Sequence, residues 1–100
     1  MSRGYWIVKA DVSDQERFME YAKKTQKILE KYGAKFLVRA GNYQAVEGNT
    51  RSGNTIIEFP SFALAINCWN SAEYQEAKLF RIGAAELDVV IVEGVSEADA

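Results

Sequence analysis

The chain has no histidine, a single cysteine (Cys68) and a single proline (Pro60) in 100 residues. Without an imidazole, Ser-His and Cys-His nucleophilic pairs, histidine-ligated haem and the usual zinc, copper and non-haem iron centres are all excluded. Any catalysis must run on carboxylates, phenols, amines, guanidinium or backbone groups, and neither a metal nor a cofactor is expected. One cysteine cannot close an internal disulfide. No apolar run approaches the roughly 20 residues that span a bilayer. Met1-Ser2-Arg3-Gly4 leads directly into a strand-like run instead of the apolar stretch of a signal peptide. These absences point to the cytoplasm and away from a membrane partner. Strong charge of either sign is also missing: 12 Lys and Arg against 14 Asp and Glu leave a net charge of −2, so no general field draws in nucleic acid.

What is present is apolar enough to fold: 48% of the residues are hydrophobic and 26% are charged, the composition of one soluble globular domain. That domain is expected over residues 1–95, with the small acidic stretch 96–100 as a frayed tail. Gly4–Val12 alternates Trp6, Val8, Ala10 and Val12 against Tyr5, Ile7, Lys9 and Asp11, which predicts a strand. Ser13 and Glu16 have capping-box spacing, and Phe18, Tyr21, Ala22, Thr25, Ile28, Leu29 and Tyr32 form the stripe of an amphipathic helix that Gly33 ends. Lys35–Ala40 reads as a second strand, with a bulge or kink at Gly41-Asn42 before Tyr43–Glu47 resumes extended structure. A turn over Gly48–Gly53 leads to a third strand at Asn54–Phe59, and Ser61 after Pro60 caps a second helix that breaks and restarts at Asn70-Ser71. Leu87–Glu93 is the last strand. The order β-α-β-β-α-β predicts an α+β, ferredoxin-like fold: a four-stranded antiparallel sheet with helices on one face.

Strand parity divides the sheet residues into two sets. Trp6, Val8, Ala10, Phe36, Val38, Ala40, Thr55, Ile57, Phe59, Leu87, Val89 and Ile91 are assigned to the helix side. The other face receives Tyr5, Ile7, Lys9, Leu37, Arg39, Ile56, Glu58, Asp88, Val90 and Val92, which no helix of this chain remains to cover. Burying one aliphatic side chain contributes roughly 1.5–3 kcal/mol, so the pattern predicts a homodimer closed over that face. Mid-strand charges on it are expected to pair, Arg39 with Glu58 and Lys9 with Asp88. Two readings of these residues stand. They are register-fixing salt bridges, or they line a polar pocket in which Arg39 holds an anionic or carbonyl oxygen, Glu58 or Asp88 moves a proton and Tyr5 lends a phenol.

The remaining features read as structure. Trp69 and Tyr74 are packing aromatics, Arg81 belongs to a surface ion pair, Cys68 is a weakly reactive thiol, and Lys23, Lys24, Lys27 and Lys31 form a solvated face. An RNA-recognition sheet would need stacking aromatics on the third strand, where Ile56 and Glu58 stand. An acylphosphatase would need an anion loop where the acidic Asp11-Val12-Ser13-Asp14 lies.

Several segments together are familiar: Gly4-Tyr5-Trp6-Ile7-Val8, Tyr21, Lys31 to Gly41, Val46-Glu47-Gly48, Ile57 to Ser61, Asn70 to Tyr74, and Arg81. From about residue 3 to 94 the chain resembles the small bacterial proteins grouped as domain of unknown function 1330. That resemblance implies a dimeric α+β barrel, a superfamily that also holds antibiotic-biosynthesis-type monooxygenases, muconolactone isomerases and chlorite-dismutase-like haem proteins. It implies no reaction, because fold analogy is a weak warrant for chemistry. One departure is Ala40, where the family pattern reads Arg-Gly-Gly. The functional expectation is a homodimer that binds a small metabolite near the sheet face or dimer interface, with cofactor-free turnover left open; the alternative is a non-catalytic dimerisation or stress-accessory module with structural charge pairs.

Overall fold

Alternating apolar residues at Gly4–Val12 form β1, the strand on which the molecule is built; the computed structural model describes residues 2–96. Helix α1 (Gln15–Lys31) follows, then β2 (Lys35–Arg39), β3 (Gly53–Phe59), α2 (Phe62–Asn70), α3 (Ala72–Lys78), a single 3-10 turn at Leu79–Arg81, and β4 (Ala85–Glu93). The four strands make one antiparallel sheet in the order β2-β3-β1-β4. This is the expected ferredoxin-like α+β arrangement. Apart from Ser96, the expected tail lies outside the described residues.

The helix boundaries follow local chemistry. Asp14, not Ser13, caps α1: its carboxylate accepts the Arg17 amide at 3.2 Å. Ser13 is drawn away because its hydroxyl donates to the Ala84 carbonyl at 3.1 Å, so the capping box is replaced by a tie to the start of β4. Gly33, at φ +78°, ends α1 in the left-handed region. Ser61 and Ser71 cap α2 and α3, accepting the amides of Leu64 and Tyr74, each at 3.1 Å. The predicted extended stretch Tyr43–Glu47 joins no strand. Residues 40–50 all lie at the surface, and β3 begins at Gly53.

The core is aromatic. Trp6, Phe59 and Tyr74 are buried with Leu29, Ile57, Ala65 and Cys68. The Trp6 ring lies 5.1 Å from both Phe59 and Tyr74 and 5.6 Å from Trp69, within the range where tilted and edge-on aromatic pairs attract. Its indole N–H donates to the Ala65 carbonyl at 2.9 Å, so this buried donor has its acceptor. Helix α2 packs closely on β1, β3 and β4 because Gly4 permits it: a Cβ there would stand 2.6 Å from the Phe62 Cα and the Ser61 carbonyl. Helix α1 instead packs mainly against α3 and the 3-10 turn, and the space beneath it stays open.

Candidate functional site

That space is a cleft of about 450 Å³ between α1 and the helix-facing side of the sheet. It is lined by buried Trp6 and Ile57 from the sheet, Leu29 and Thr25 from α1 and Tyr74 from α3, with half-buried Val8, Val89, Phe36 and Tyr21 beside them. Exposed Gln15, Met19, Gln26 and Arg39 mark the rim. An apolar concavity of this size with a few convergent polar groups is the ordinary form of a small-molecule site. The polar groups are the Tyr21 and Tyr74 hydroxyls, 2.8 Å apart, and the Arg39 guanidinium, which rests 3.8 Å over the Phe36 ring. Burial holds the Tyr74 phenol well above its ordinary range, with Tyr21 adding to the rise and Arg81 opposing it. A shallower groove of about 320 Å³ between α1 and α3 has Lys24, Glu73, Glu76 and Phe80 on its walls. Lys24 covers the Phe80 ring there at 4.4 Å, so the charge on that wall is already engaged within the groove's own lining.

Arg39 reaches the cleft because β2 carries a bulge. Phe36 pairs with Ile57, Val38 with Ile56 and Arg39 with Thr55, so Leu37 is one residue too many and side-chain parity reverses beyond it. Strict alternation along β2 predicts Arg39 on the uncovered face with Glu58, and Val38 on the helix side. Both are corrected: Arg39 lines the cleft with Thr55, and Val38 faces out, 40% exposed.

The other candidates stay on the outer face, and there the expected pairs are exchanged. Glu58 accepts the Tyr5 hydroxyl at 3.1 Å and lies 3.8 Å from Arg3; desolvation, reinforced by Glu58, raises the Tyr5 pKa. Lys9 and Asp88 are opposite in register, yet Lys9 donates to Asn54 at 3.1 Å and Thr50 at 3.4 Å, while Asp88 takes Arg51 at 2.8 Å. Arg51 also reaches Asp11 at 3.0 Å and Glu86 at 3.1 Å, and three carboxylates on one fork outcompete a single lysine. The hydrogen bonds that Arg51 donates to Asp88 and Glu86 raise its pKa further, and the Ser52 amide, with the Ser52 and Arg51 side chains, lowers that of Asp11. Tyr5, Lys9, Glu58 and Asp88 therefore do not meet Arg39 in one pocket.

Four polar residues escaped the sequence reading. Tyr21 and Tyr74 sit on apolar stripes, where a phenol and a packing aromatic look alike. Arg51 lies in an aperiodic turn. Arg81 was assigned to a surface pair, but it makes none among the described residues: its guanidinium stands 5.5 Å over the Tyr21 ring, because α3 and its 3-10 extension point it back at α1. Cys68 is buried and free, with burial pushing its thiol up to about 12, which fits an inert structural cysteine.

Fold and cleft together define a ferredoxin-like α+β protein with a small-molecule-sized pocket under its first helix. The family model for domain of unknown function (DUF1330) matches residues 3–95, and the chain belongs to that family. Among solved structures it is similar to a protein of unknown function from Rhodopseudomonas palustris, at TM-score 0.75 and 15% identity over 95% of this chain and 84% of that one. It is also similar to a hypothetical Arabidopsis thaliana protein, at TM-score 0.68 and 12% identity over 96% and 91% of the two chains. A dimeric ferredoxin-like protein of unknown function from Thermobifida fusca matches at TM-score 0.58 and 9% identity over 95% and 92%. At such identities the likeness concerns the fold. No curated protein matches this sequence. Among the described residues no helix is long and apolar enough to cross a membrane.

Proposed function

We propose that this protein binds a small, mostly apolar organic acid in the cleft between α1 and the sheet, with Arg39 taking the carboxylate at the rim. The observation that carries the reading is the placement of one guanidinium at the mouth of an apolar 450 Å³ space. Stacked on Phe36 with its N–H groups free of any protein carboxylate among the described residues, Arg39 is presented to an incoming anion. The protein works in the cytoplasm, where its one free thiol stays reduced, and as a homodimer closed over the outer sheet face. Exposed Val38, Val90 and Val92 around Ile7 and Ile56 support that assembly, as does the dimeric state named for the Thermobifida fusca protein of the same fold.

The ligand reading is tested by thermal shift and calorimetry with 4-isopropylbenzoate against the neutral 4-isopropylbenzamide. The acid should bind and raise the melting temperature, the amide should bind at least tenfold more weakly, and Arg39→Ala should remove the difference. A charged ligand that binds Arg39→Ala as well as wild type would sink the assignment.

A further inference from the structure

Counting protons at the tyrosine pair leads further into the cleft. Two phenols contribute two O–H donors, and their mutual contact at 2.8 Å uses one of them. The second has no protein acceptor among the described residues, although Tyr74 is only 1% exposed and both rings line the cleft. Burial separates the two: Tyr74 is enclosed and has the Tyr21 oxygen as its acceptor at 2.8 Å, whereas Tyr21 is half-buried and its hydroxyl has the open cleft beside it. The arrangement that leaves no proton shut in the core has Tyr74 donating to Tyr21. The proton without a partner is then that of Tyr21, whose ring Arg81 covers at 5.5 Å.

We infer that Tyr21, positioned by Tyr74 and Arg81, donates its hydroxyl proton to a carbonyl-type oxygen at the inner end of the bound acid, so that the ligand class is an apolar carboxylate bearing an oxo group. This rests on the cleft-binding reading above and adds a second polar anchor to it. Two sequence-distant segments converge to make the donor: Tyr21 from α1, and Tyr74 from α3 with Arg81 from the turn that follows it. In such a chain each donor polarises the next, and the last O–H, left in an apolar cleft, favours a ligand that supplies an acceptor over one that does not.

The test uses a near-isosteric pair, 4-acetylbenzoate, which carries the acceptor, and 4-isopropylbenzoate, which does not, measured by calorimetry on wild type, Tyr21→Phe and Tyr74→Phe. Wild type should prefer the acetyl compound by about three- to tenfold. Tyr21→Phe should abolish that preference, bringing the ratio of the two affinities to about one, and Tyr74→Phe should reduce it by less. Infrared spectra of carbonyl-labelled 4-acetylbenzoate bound to wild type need no variant to fold, and should show the ketone band moved to lower wavenumber. Equal affinity of wild type for the two acids, a preference that survives Tyr21→Phe, a larger loss from Tyr74→Phe, or an unshifted ketone band would overturn the inference. Binding of 4-isopropylbenzoate alone leaves the cleft reading intact, whereas failure of both acids to bind removes both.

Discussion

Two positions with the same backbone demand carry different residues. Gly33 and Ala40 both have positive φ, +78° and +47°. An L-residue in that region costs roughly 1–2 kcal/mol, which glycine does not bear. At Gly33 an added Cβ would also stand 2.9 Å from the Pro60 ring. Ala40 is held in place by its amide, which donates to the Asn54 carbonyl at 2.8 Å as β2 ends. A glycine at this position would bear no such cost, and Ala40 carries it. Gly33→Ala should therefore destabilise the protein by about 1–2 kcal/mol, while Ala40→Gly should be neutral or stabilising by up to about 1 kcal/mol once the greater freedom of the unfolded glycine is deducted. Urea denaturation of the two variants checks this; a stability loss in both would refute the strain at Ala40.

At the scale of elements, the connection from 40 to 52 is long for a compact domain, and its return to the sheet is fixed by Arg51, whose side chain bridges Asp11 on β1 to Glu86 and Asp88 on β4. A network of this kind does more than an isolated surface pair, yet it remains screenable. The Asp11 carboxyl is depressed below its ordinary 3.8, chiefly by the Ser52 amide and then by the Ser52 and Arg51 side chains. A depressed folded pKa adds stability above the unfolded value and loses it as pH falls through the folded one. Arg51→Gln should thus lower the melting temperature at pH 7, and the gap to wild type should narrow in 0.5 M salt and shrink again below pH 4 as Asp11 protonates. A gap unchanged at pH 3 would mean the latch contributes nothing through that carboxylate. This connection also shows where sequence reading stops. Element order, both serine caps of the second helical region and the break at Ser71 are written in local residue patterns and could be read. The bulge at Leu37 depends on how β2 meets β3, which no local pattern encodes, and one extra residue was enough to move Arg39 from the outer face into the cleft. The tyrosine pair is invisible for a related reason: its partners are 53 residues apart in sequence.

At the scale of the whole molecule, the bulge acts on both sides of the sheet. It turns Arg39 inward toward the cleft and Val38 outward, where Val38 pairs with Ile56 in register and joins Ile7, Val90 and Val92 across the face that no helix covers. Charge is confined to the two ends of that face: Arg51 with its carboxylates beside Lys9 at one end, and Tyr5, Glu58 and Arg3 at the other. A polar rim around an apolar centre is the composition of a self-complementary interface, with Val90, 53% exposed and opposite Ile7, near its middle. A lysine there would strand a charge between two sheets. The penalty for that is several kcal/mol, and since each 1.4 kcal/mol is tenfold in affinity, the association would weaken by about a thousandfold or more. Sedimentation at micromolar concentration should accordingly give wild type at twice the 11.2 kDa of one chain and Val90→Lys at 11.2 kDa. The variant should still bind 4-isopropylbenzoate, because its cleft lies on the other side of the sheet. Wild type sedimenting as a single chain would leave the outer face without its partner and end the case for the dimer.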